Sequence, residues 1–372
     1  MNRAGAAEVV TLPALPFVSV VMPVRNEGEF IARSVGSVLA QDFPAERMEV
    51  LVADGLSDDG TAQAVEDFAR ADPRVRLVPN PGRIVATGLN AAIAIARGDI
   101  LVRVDGHCEI APDYVARCVE HLQRGEAEGV GGPLETVGEN PRSQTIALAM
   151  SSRFGVGGAS FRTGSGLDRL VDTVAFPAYT RDVVRRAGPY DEELVRDQDD
   201  EYNYRLRNMG FRILLAGDVR SRYYSRSSIR SLGRQYFQYG FWKVRVMQKH
   251  PRQMRPRQFV PPLFAASLIG AAVAAPLGRR TWIPFAAVAG AYTAANLAAS
   301  AWTARRAAGP GRLLLPVAFA TLHLSYGLGF LTGLLRFAGR WKDRTGRGDF
   351  APSAGGRALR PPPLGTPEKK IP

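Results

Sequence analysis

Three uncharged apolar runs in the last third of the chain constrain its fold more than any other feature. They are 19, 20 and 23 residues long and cover Phe259 to Leu277, Ile283 to Trp302 and Leu313 to Leu335. Because a helix needs about 20 apolar residues to cross a bilayer, we expect two to three transmembrane helices within residues 259–335. The lengths of the runs and the Arg pairs that follow two of them favour this over buried helices of a soluble domain.

The number of crossings decides on which side of the membrane the chain ends. Three crossings would place the basic tail, residues 336–372, opposite the first half of the chain, against the tendency of basic segments to stay in the cytoplasm. The conflict disappears if one run is re-entrant or interfacial. The Ala-rich run from Ile283 to Trp302 is the weakest candidate for a full crossing.

Basic residues are concentrated in the second half of the chain. The 372 residues carry 48 Lys and Arg against 35 Asp and Glu, a formal net charge of +13. Up to Asp218 there are 23 basic and 32 acidic residues, whereas the rest has 25 basic and 3 acidic ones. Such basicity first suggests nucleic-acid binding, but next to apolar runs it indicates an anionic membrane surface. We therefore expect no nucleic-acid partner, and predict a basic amphipathic interfacial segment over residues 227–258.

The N-terminal residues show no secretory signal. Met1 to Pro16 lacks a basic segment followed by a long apolar one, and two cysteines make no disulfide framework. We expect a flexible arm over residues 1–16 and a cytoplasmic domain over residues 17–226. The apolar runs would then attach the protein to the inner, cytoplasmic membrane as a multi-pass protein, followed by a basic tail rich in Pro and Gly.

The cytoplasmic domain alternates strand-like and helix-like segments. The strands are predicted at Val18 to Pro23, Met48 to Ala53, Val75 to Pro79 and Ile100 to Val104, with helices at Phe30 to Ala40, Thr61 to Ala71 and Ala86 to Ala96. This alternation is typical of βαβ units and predicts an α/β domain with a largely parallel sheet. Ligands of such sheets bind beyond the carboxyl ends of the strands, so the residues that follow each strand are the candidates for a site.

Polar side chains follow three of these strands. They include Glu27 after the first strand, Asp54 after the second, and Asp105 with His107 after the fourth. Asp105 and His107 can both reach one divalent cation, which would neutralise a diphosphate; the alternative is a polar turn before the next helix. The chain has neither Gly-x-Gly-x-x-Gly nor a P-loop, so a dinucleotide-binding fold and an NTPase are not favoured.

The order of these motifs is similar to that of a known enzyme family. They are Val18 to Glu27, Asp54 to Thr61, Asn80-Pro-Gly-Arg83 through Gly88-Leu-Asn90 to Gly98-Asp99, and Val104 to His107. Over about Val18 to His250 the chain resembles family 2 of the inverting glycosyltransferases, in particular its membrane-tethered, succinoglycan-type branch that builds exopolysaccharide on a lipid carrier. The resemblance implies a GT-A fold, the α/β fold of nucleotide-diphospho-sugar transferases with a mixed, mostly parallel sheet, followed by C-terminal transmembrane helices.

The resemblance also implies a donor nucleotide site at the strand ends. Its residues would be Pro23, Arg25, Asn26, Glu27, Asp54, Arg83, Asn90 and Asp105. Asp54 would meet the base, and Arg83 and Asn90 would lie near the nucleotide and its phosphates. Asp105 and His107 would bind the metal, although His107 stands where the family has a second carboxylate. The expected cofactor is a divalent cation, Mn²⁺ or Mg²⁺, and imidazole suits Mn²⁺ better.

The candidate source of the catalytic base is an acidic segment that runs from Gly188 to Glu193 and then from Arg196 to Arg207. By residue type alone it could equally be a helix start, because carboxylates stabilise the first turn of a helix. The resemblance places the family's Glu-Asp motif on Gln198 and Asp199, which makes Asp199 the expected base. Asp200 competes with it, since adjacent side chains on a helix point about 100° apart and only one can face the site.

Two further residues are candidates for the acceptor side of the site. Gln238 and Trp242 stand where processive family members carry Gln-x-x-Arg-Trp, although Phe241 replaces the Arg. They share a helix face, so Trp242 could stack on an acceptor sugar or, equally, anchor an interfacial helix. The glycine-rich residues 151–168 are expected to form a linker or an acceptor-side loop rather than an ordered helix.

Together these features predict a membrane-anchored, metal-dependent, inverting glycosyltransferase. Its donor would be a nucleotide-diphosphate sugar, with a UDP-sugar expected, and its acceptor a polyprenyl-linked saccharide at an anionic membrane. One alternative is transfer directly onto polyprenyl phosphate. The other is a non-catalytic membrane scaffold with a degenerate sugar-nucleotide fold, which Gln198 and His107 favour and Asp54, Asp105 and Asp199 oppose.

Overall fold

A computed structural model describes residues 12–163, 166–274, 276, 278, 280, 282–305 and 310–342. Most of the predicted N-terminal arm, and the tail beyond residue 342, lie outside these residues. Within them the chain forms an α/β domain followed by four long helices.

The strands and helices predicted for the first third of the chain are confirmed. The strands are β1 (Val18–Val24), β2 (Met48–Asp54), β3 (Val75–Pro79) and β4 (Ile100–Arg103), and the helices are α1 (Ile31–Leu39), α2 (Thr61–Ala71) and α3 (Val85–Ile95). Every residue of β1 and β2 is buried, because α1 and α2 pack on one face of the sheet and α3 on the other. Strands covered on both faces read as continuous apolar runs.

Shorter elements complete the domain. They are β5 (Cys108–Ile110), α4 (Tyr114–Gln123), β6 (Gly129–Gly131), β7 (Leu134–Val137), α5 (Pro141–Met150), α6 (Arg153–Val156), α7 (Ser160–Thr163), β8 (Arg169–Leu170), β9 (Ala178–Thr180), α8 (Arg181–Ala187), α9 (Gln198–Asn208), β10 (Ile213–Leu215) and β11 (Ser221–Tyr224). The glycine-rich segment thus contains two one-turn helices that the sequence did not predict. Ser152 caps the first of them, its hydroxyl accepting a hydrogen bond from the amide of Phe154.

The sheet is mixed and mostly parallel, as predicted. Its eight strands lie in the order β3-β2-β1-β4-β9-β6-β10-β8, and β5, β11 and β7 form a small second sheet. β1 pairs in parallel with both β2 and β4, whereas β9 is antiparallel to β4 and β6. The carboxyl ends of β1, β2 and β4 therefore meet at one edge, where the polar motifs follow them.

Four helices follow the sheet domain. They are α10 (Ile229–Lys249), α11 (Val260–Ala274), α12 (Trp282–Ala304) and α13 (Leu315–Arg336). Two stretches are long and apolar enough to cross a membrane by length and composition, Pro256–Ala274 and Arg312–Arg336. The 23-residue α12 is not one of them, which agrees with the weakness of the Ala-rich run in the sequence.

One face of α13 belongs to the core of the α/β domain. Leu315, Ala318, Phe319 and Leu322 are buried in the same apolar cluster as the strands β1, β2 and β4. Protein therefore covers the inner face of this run. Hydropathy records how apolar a helix is and does not show whether lipid or protein covers it.

The inner side of α10 carries buried cations that the sequence did not predict. Lys243, Arg245 and Lys249 are buried rather than turned toward lipid. Each is paired with a carboxylate of the acidic segment of the domain: Lys243 with Asp197 and Asp200, Arg245 with Glu193, and Lys249 with Asp191 and Glu193. Buried charges persist only when paired, so this part of α10 is attached to the α/β domain.

Glycines bring α10 and α13 into backbone contact. A Cβ atom added at Gly240 would lie 2.0 Å from the carbonyl oxygen of Tyr326, and one at Gly329 would lie 2.0 Å from that of Phe237. At such distances a methyl group cannot be accommodated unless the helices separate. The two helices consequently form one packed unit.

We predict that Gly240→Ala destabilises the protein, because overpacking a closed interface costs about 1–3 kcal/mol. The matched control is Gly36→Ala in α1, where an added Cβ meets nothing within 4 Å and the loss of glycine's backbone freedom stabilises the helix by about 0.5–1 kcal/mol. Thermal unfolding of the detergent-solubilised protein measures both. Equal melting temperatures for the two variants would contradict the packing described.

Candidate active site

A cavity of about 1200 Å³ lies at the carboxyl ends of the strands. The strand ends form one wall, and α10, α13 and the glycine-rich segment form the other. The predicted site residues that line it are Pro23, Arg25, Asn26, Glu27, Arg83, Asp105, His107, Asp199 and Gln238. Residues far apart in sequence, from both the donor and the acceptor motifs, therefore meet at one site.

Four residues of the cavity wall have positive φ angles. Asn26, Arg83, Phe176 and Asp197 have φ angles of 54°, 60°, 49° and 61°, which are uncommon for residues other than glycine. Hydrogen bonds hold the first of these: the Asn26 amide nitrogen donates to Asp58 Oδ1 at 2.8 Å, and the Asp58 backbone amide donates back at 3.1 Å. Strained backbone held in this way is concentrated at functional sites.

Three predicted site residues do not border the cavity. The Asp54 carboxylate accepts hydrogen bonds from the hydroxyl and amide of Ser57. Asn90 exchanges hydrogen bonds with the backbone of Tyr190 and donates to Glu192, so it holds the start of the acidic segment. Trp242 packs in an apolar cluster with Leu194, Tyr204 and Val246.

The candidate metal ligands have other partners in this structure. Arg103 donates to both Asp105 oxygens, at 2.9 and 3.2 Å, and His107 Nδ1 lies 2.8 Å from Glu27 Oε1. Burial opposes the imidazolium charge, but the Glu27 carboxylate outweighs it and raises the pKa of His107 to about 9. A metal at this position would have to share Asp105 with Arg103 and displace a proton from His107.

The donor set nevertheless fits a divalent cation bound mainly by phosphate. Among the described residues there is no group of three or more His, Cys, Asp or Glu that could hold a metal unaided. One carboxylate and one imidazole are enough for an ion whose remaining ligands are diphosphate oxygens and water. Asp105 and His107 are the residues that would hold it.

Arg103 connects the donor and catalytic motifs. It is buried at the end of β4, and its guanidinium pairs with both Asp105 and Asp199. Sequence reasoning missed this residue, although an Arg inside the apolar strand Ile100–Arg103 is a recognisable signal. Through it, the position of Asp199 is fixed relative to the candidate metal ligand Asp105.

Asp199 lies in the first turn of α9 and faces Arg103. Burial raises the pKa of its carboxyl group, and the guanidinium of Arg103 opposes that rise. Gln198 donates from Nε2 to Asp199 Oδ1 at 3.1 Å. A carboxylate so held, at the wall of a cavity, can accept a proton from a bound hydroxyl.

The neighbouring carboxylates have a different partner. Asp200 and Asp197 both pair with Lys243 of α10, and Asp197 Oδ2 is buried without a hydrogen-bond partner among the described residues. Burial raises the pKa of Asp197 to about 7, even though Lys243 opposes the shift. Asp199 therefore pairs with Arg103 and Asp200 with Lys243, because adjacent side chains on a helix point in different directions.

The C-terminal helices contribute side chains to the far wall. His323 and Tyr326 of α13 and Tyr292 of α12 line the cavity. The Tyr292 hydroxyl lies 3.0 Å from His323 Nδ1, and His323 Nε2 donates to the carbonyl oxygen of Phe154 at 2.8 Å. These bonds attach the glycine-rich segment to the helices that the sequence assigned to the membrane.

The fold and this site define a GT-A nucleotide-diphospho-sugar transferase. Residues 19–186 match the profile of "Glycosyl transferase family 2". The chain is 32% identical over 330 residues to the succinoglycan biosynthesis protein ExoA of Rhizobium meliloti (strain 1021), over 86% of this chain and 96% of that protein. The chain therefore belongs to glycosyltransferase family 2.

Two further comparisons agree with this assignment. Over 241 residues, 63% of this chain and 74% of the relative, the chain is 25% identical to a Methanococcus voltae enzyme. That enzyme is named dolichyl N-acetyl-alpha-D-glucosaminyl phosphate 3-beta-D-2,3-diacetamido-2,3-dideoxy-beta-D-glucuronosyltransferase. The fold is similar to that of the mannosyltransferase PcManGT from Pyrobaculum calidifontis, solved with GDP-Man and Mn²⁺. The TM-score is 0.55 and the identity 21%, over 90% of this chain and 91% of that one.

We predict that Asp197 makes the protein less stable as the pH rises. Its pKa is about 7 in the folded state and about 3.9 when unfolded, so between these values the native state binds more protons. The free energy of unfolding then falls from pH 4 to pH 7, by on the order of 4 kcal/mol. Asp197→Asn should remove this part of the pH dependence.

Thermal unfolding at pH 5 and pH 8 measures the effect. The control is Asp67→Asn, an exposed carboxylate of α2, which should leave the pH dependence as in the wild type. If wild type and Asp197→Asn lose the same stability between the two pH values, the raised pKa is wrong.

Proposed function

We propose that this protein is an inverting glycosyltransferase of exopolysaccharide or cell-surface glycan synthesis. It transfers a sugar from a nucleotide-diphosphate sugar, a UDP-sugar, to a saccharide on a polyprenyl carrier. The observation that carries the proposal is Arg103, which pairs with both Asp105 and Asp199 in one cavity. The candidate metal ligand Asp105 and the candidate base Asp199 are therefore held by the same guanidinium group.

The donor site is assigned to the strand ends. Pro23, Arg25, Asn26, Glu27 and Arg83 line the cavity there, and two of them are held in left-handed conformations. Guanidinium groups suit phosphate oxygens. The roles of Asp54 and Asn90 near the nucleotide, which the sequence predicted, remain part of this proposal. Neither residue borders the cavity, so both would act from behind its wall.

Asp199 is assigned as the base of a single displacement. The acceptor hydroxyl attacks the anomeric carbon, the bond from that carbon to the diphosphate oxygen breaks on the opposite face, and the nucleoside diphosphate leaves with the electron pair. The hydroxyl proton passes to the Asp199 carboxylate. Arg103 favours the ionised form that the base needs, while burial keeps it basic enough to accept the proton.

A divalent cation, when bound, would neutralise the diphosphate of the leaving group. Asp105 and His107 are the residues that would hold it, and His107 must be neutral to do so. Arg25 and Arg83 line the same cavity and add positive charge. The donor-bound neighbour PcManGT was solved with Mn²⁺, which supports the choice of cation.

A lipid-linked acceptor is supported by the far wall of the cavity. Phe264, Tyr292 and Leu322 line it from three C-terminal helices, so an apolar carrier and its saccharide could both be reached. Gln238, which accepts a hydrogen bond from Arg196, is the acceptor-side polar residue of α10. The name of the Methanococcus voltae relative contains a dolichyl-linked sugar phosphate. We place the protein at the cytoplasmic face of the inner membrane.

We predict that Asp199→Asn lowers transfer by about 10²–10⁴-fold, the usual contribution of a general base. Asp200→Asn should keep most of the activity, because Asp200 pairs with Lys243 rather than Arg103. The assay supplies UDP-sugars together with lipid carriers extracted from membranes. The reverse order of the two variants would overturn the assignment of the base.

We also predict that transfer is lost in EDTA and restored by added metal, more by Mn²⁺ than by Mg²⁺, because His107 supplies an imidazole ligand. Hydrolysis of the UDP-sugar without acceptor gives a second readout of the donor site. Undiminished transfer in EDTA would show that Arg25 and Arg83 can neutralise the diphosphate without a divalent cation. If neither hydrolysis nor transfer is detected under any condition, the result would favour the alternative of a non-catalytic scaffold.

A further inference from the structure

The side of the cavity formed by α10 and the glycine-rich segment carries positive charge that no carboxylate neutralises. Arg103 and Lys243 are ion-paired with the acidic segment. Five further arginines on this side line the cavity without an ion pair to any carboxylate that the structure describes: Arg153, Arg162, Arg196, Arg226 and Arg234. Because an uncompensated charge in a partly buried site is unfavourable, these arginines indicate an anionic ligand.

Two of these arginines lie around Tyr223 of β11. The guanidinium carbon of Arg162 is 5.1 Å from the centroid of the Tyr223 ring, and Arg226 interacts electrostatically with Tyr223 and Tyr239. Arg162 donates one hydrogen bond, to the Thr136 hydroxyl at 2.9 Å, whereas no described residue accepts one from the Arg226 side chain. A guanidinium has five N–H donors, so both arginines retain donors for a ligand.

The hydroxyl groups of Tyr223 and Tyr239 add two donors to this set. Gln235, which is buried in α10, donates from Nε2 to both hydroxyl oxygens, at 3.2 and 2.8 Å. Each hydroxyl therefore directs its own proton elsewhere, and neither proton has an acceptor within the described ranges of the chain. Guanidinium and phenol donors without acceptors are the complement of phosphate oxygens.

This donor set is separate from the cations at the strand ends. Arg25 and Arg83 line the cavity on the strand side, where the nucleotide diphosphate and its metal are assigned. The candidate metal ligand His107 contacts the Tyr223 ring, with the ring centroids 4.9 Å apart. The second donor set therefore begins one aromatic ring away from the first, so the cavity can hold a second phosphate-bearing ligand.

The second donor set lies between the candidate base and the apolar wall. On one side, Arg196 interacts electrostatically with Tyr239 and precedes Asp199 by three residues. On the other side, the glycine-rich segment that carries Arg162 also carries Phe154, whose ring centroid lies 6.5 Å from that of Tyr292 of α12. A lipid-linked acceptor needs the same order of surfaces: apolar for its carrier, cationic for its phosphates and a base at its sugar.

We propose that Arg162, Arg226 and the hydroxyls of Tyr223 and Tyr239 bind the diphosphate of the acceptor's lipid carrier. This inference rests on the proposed function and extends it, because it names the anionic group by which the acceptor is recognised. Two guanidinium groups and two hydroxyls provide donors for both phosphate groups. An acceptor on an uncharged carrier would leave the two arginines without a counter-charge.

Binding of farnesyl diphosphate to the detergent-solubilised, full-length protein tests this proposal. Isothermal titration calorimetry is performed with UDP and Mn²⁺ at saturation, so that the donor site is filled before the probe is added. Farnesol is the uncharged lipid probe, and inorganic pyrophosphate is the diphosphate without a lipid. We expect farnesyl diphosphate to bind at least about 10-fold more tightly than either of them.

Three results of this titration would overturn the proposal. Equal affinity for farnesol would show that the site does not recognise an anion. Equal affinity for pyrophosphate would assign the site to a soluble anion rather than a lipid carrier. Loss of farnesyl diphosphate binding in the presence of UDP would make the two arginines part of the donor site.

Substitution of the two arginines tests the assignment of residues. Arg162→Met and Arg226→Met should each weaken farnesyl diphosphate binding by about 10–100-fold, because a charge-assisted hydrogen bond is lost. The affinity for UDP should not change, which also shows that the variants are folded. The matched control is Arg230→Met, on the exposed side of α10 and outside the cavity, which should bind both ligands as the wild type does.

Wild-type affinity for farnesyl diphosphate in both cavity variants would overturn the assignment, and so would a loss of UDP affinity alone. The hydrolysis of UDP-sugars is measured separately. A protein that binds farnesyl diphosphate as expected but neither binds UDP nor hydrolyses a UDP-sugar would contradict the proposed function and support the lipid diphosphate site.

Discussion

The ion pairs between the acidic segment and α10 are the interactions on which the rest of the structure depends. Lys243, Arg245 and Lys249 are buried against carboxylates of residues 191–200. Burial disfavours a charged lysine, but Asp197 and Asp200 outweigh that effect and raise the pKa of Lys243. The formal charge of +13 is thus the sum of an acidic and a basic half that are partly neutralised by each other.

These pairs relate the candidate base to the C-terminal helices. They fix α10 to α9, the helix that carries Asp199, and α13 packs on α10 through glycines. The cavity is closed on one side by helices that also carry large exposed apolar side chains. On the proposed function, a lipid-linked acceptor would reach Asp199 from the side of these helices.

Local patterns in the sequence predicted much of this structure. The strands and helices up to Ile100–Arg103 follow from hydrophobic periodicity, and the resemblance to family 2 selected Asp105 and Asp199, which both line the cavity. Properties that depend on side-chain direction were not predictable. Trp242 shares a helix face with Gln238 in the sequence, yet Trp242 packs in an apolar cluster and Gln238 reaches the cavity.

Long-range pairing was the other source of error. The cations of α10 find their partners about 50 residues earlier in the chain, and no local pattern distinguishes them from cations that face lipid. Hydropathy likewise identified α13 as apolar without showing that Phe319 and Leu322 belong to the core. Arg103 was recognisable as a charge in a buried strand, but its link to Asp199 spans 96 residues.

In the proposed reaction, one carboxylate base assists a single displacement at the anomeric carbon. The configuration of the first product formed from a UDP-α-sugar tests this, and proton NMR of the new glycosidic bond in the saccharide product measures it. We expect a β-linked product, because the acceptor attacks the face opposite to the departing diphosphate. An α-linked product would contradict it.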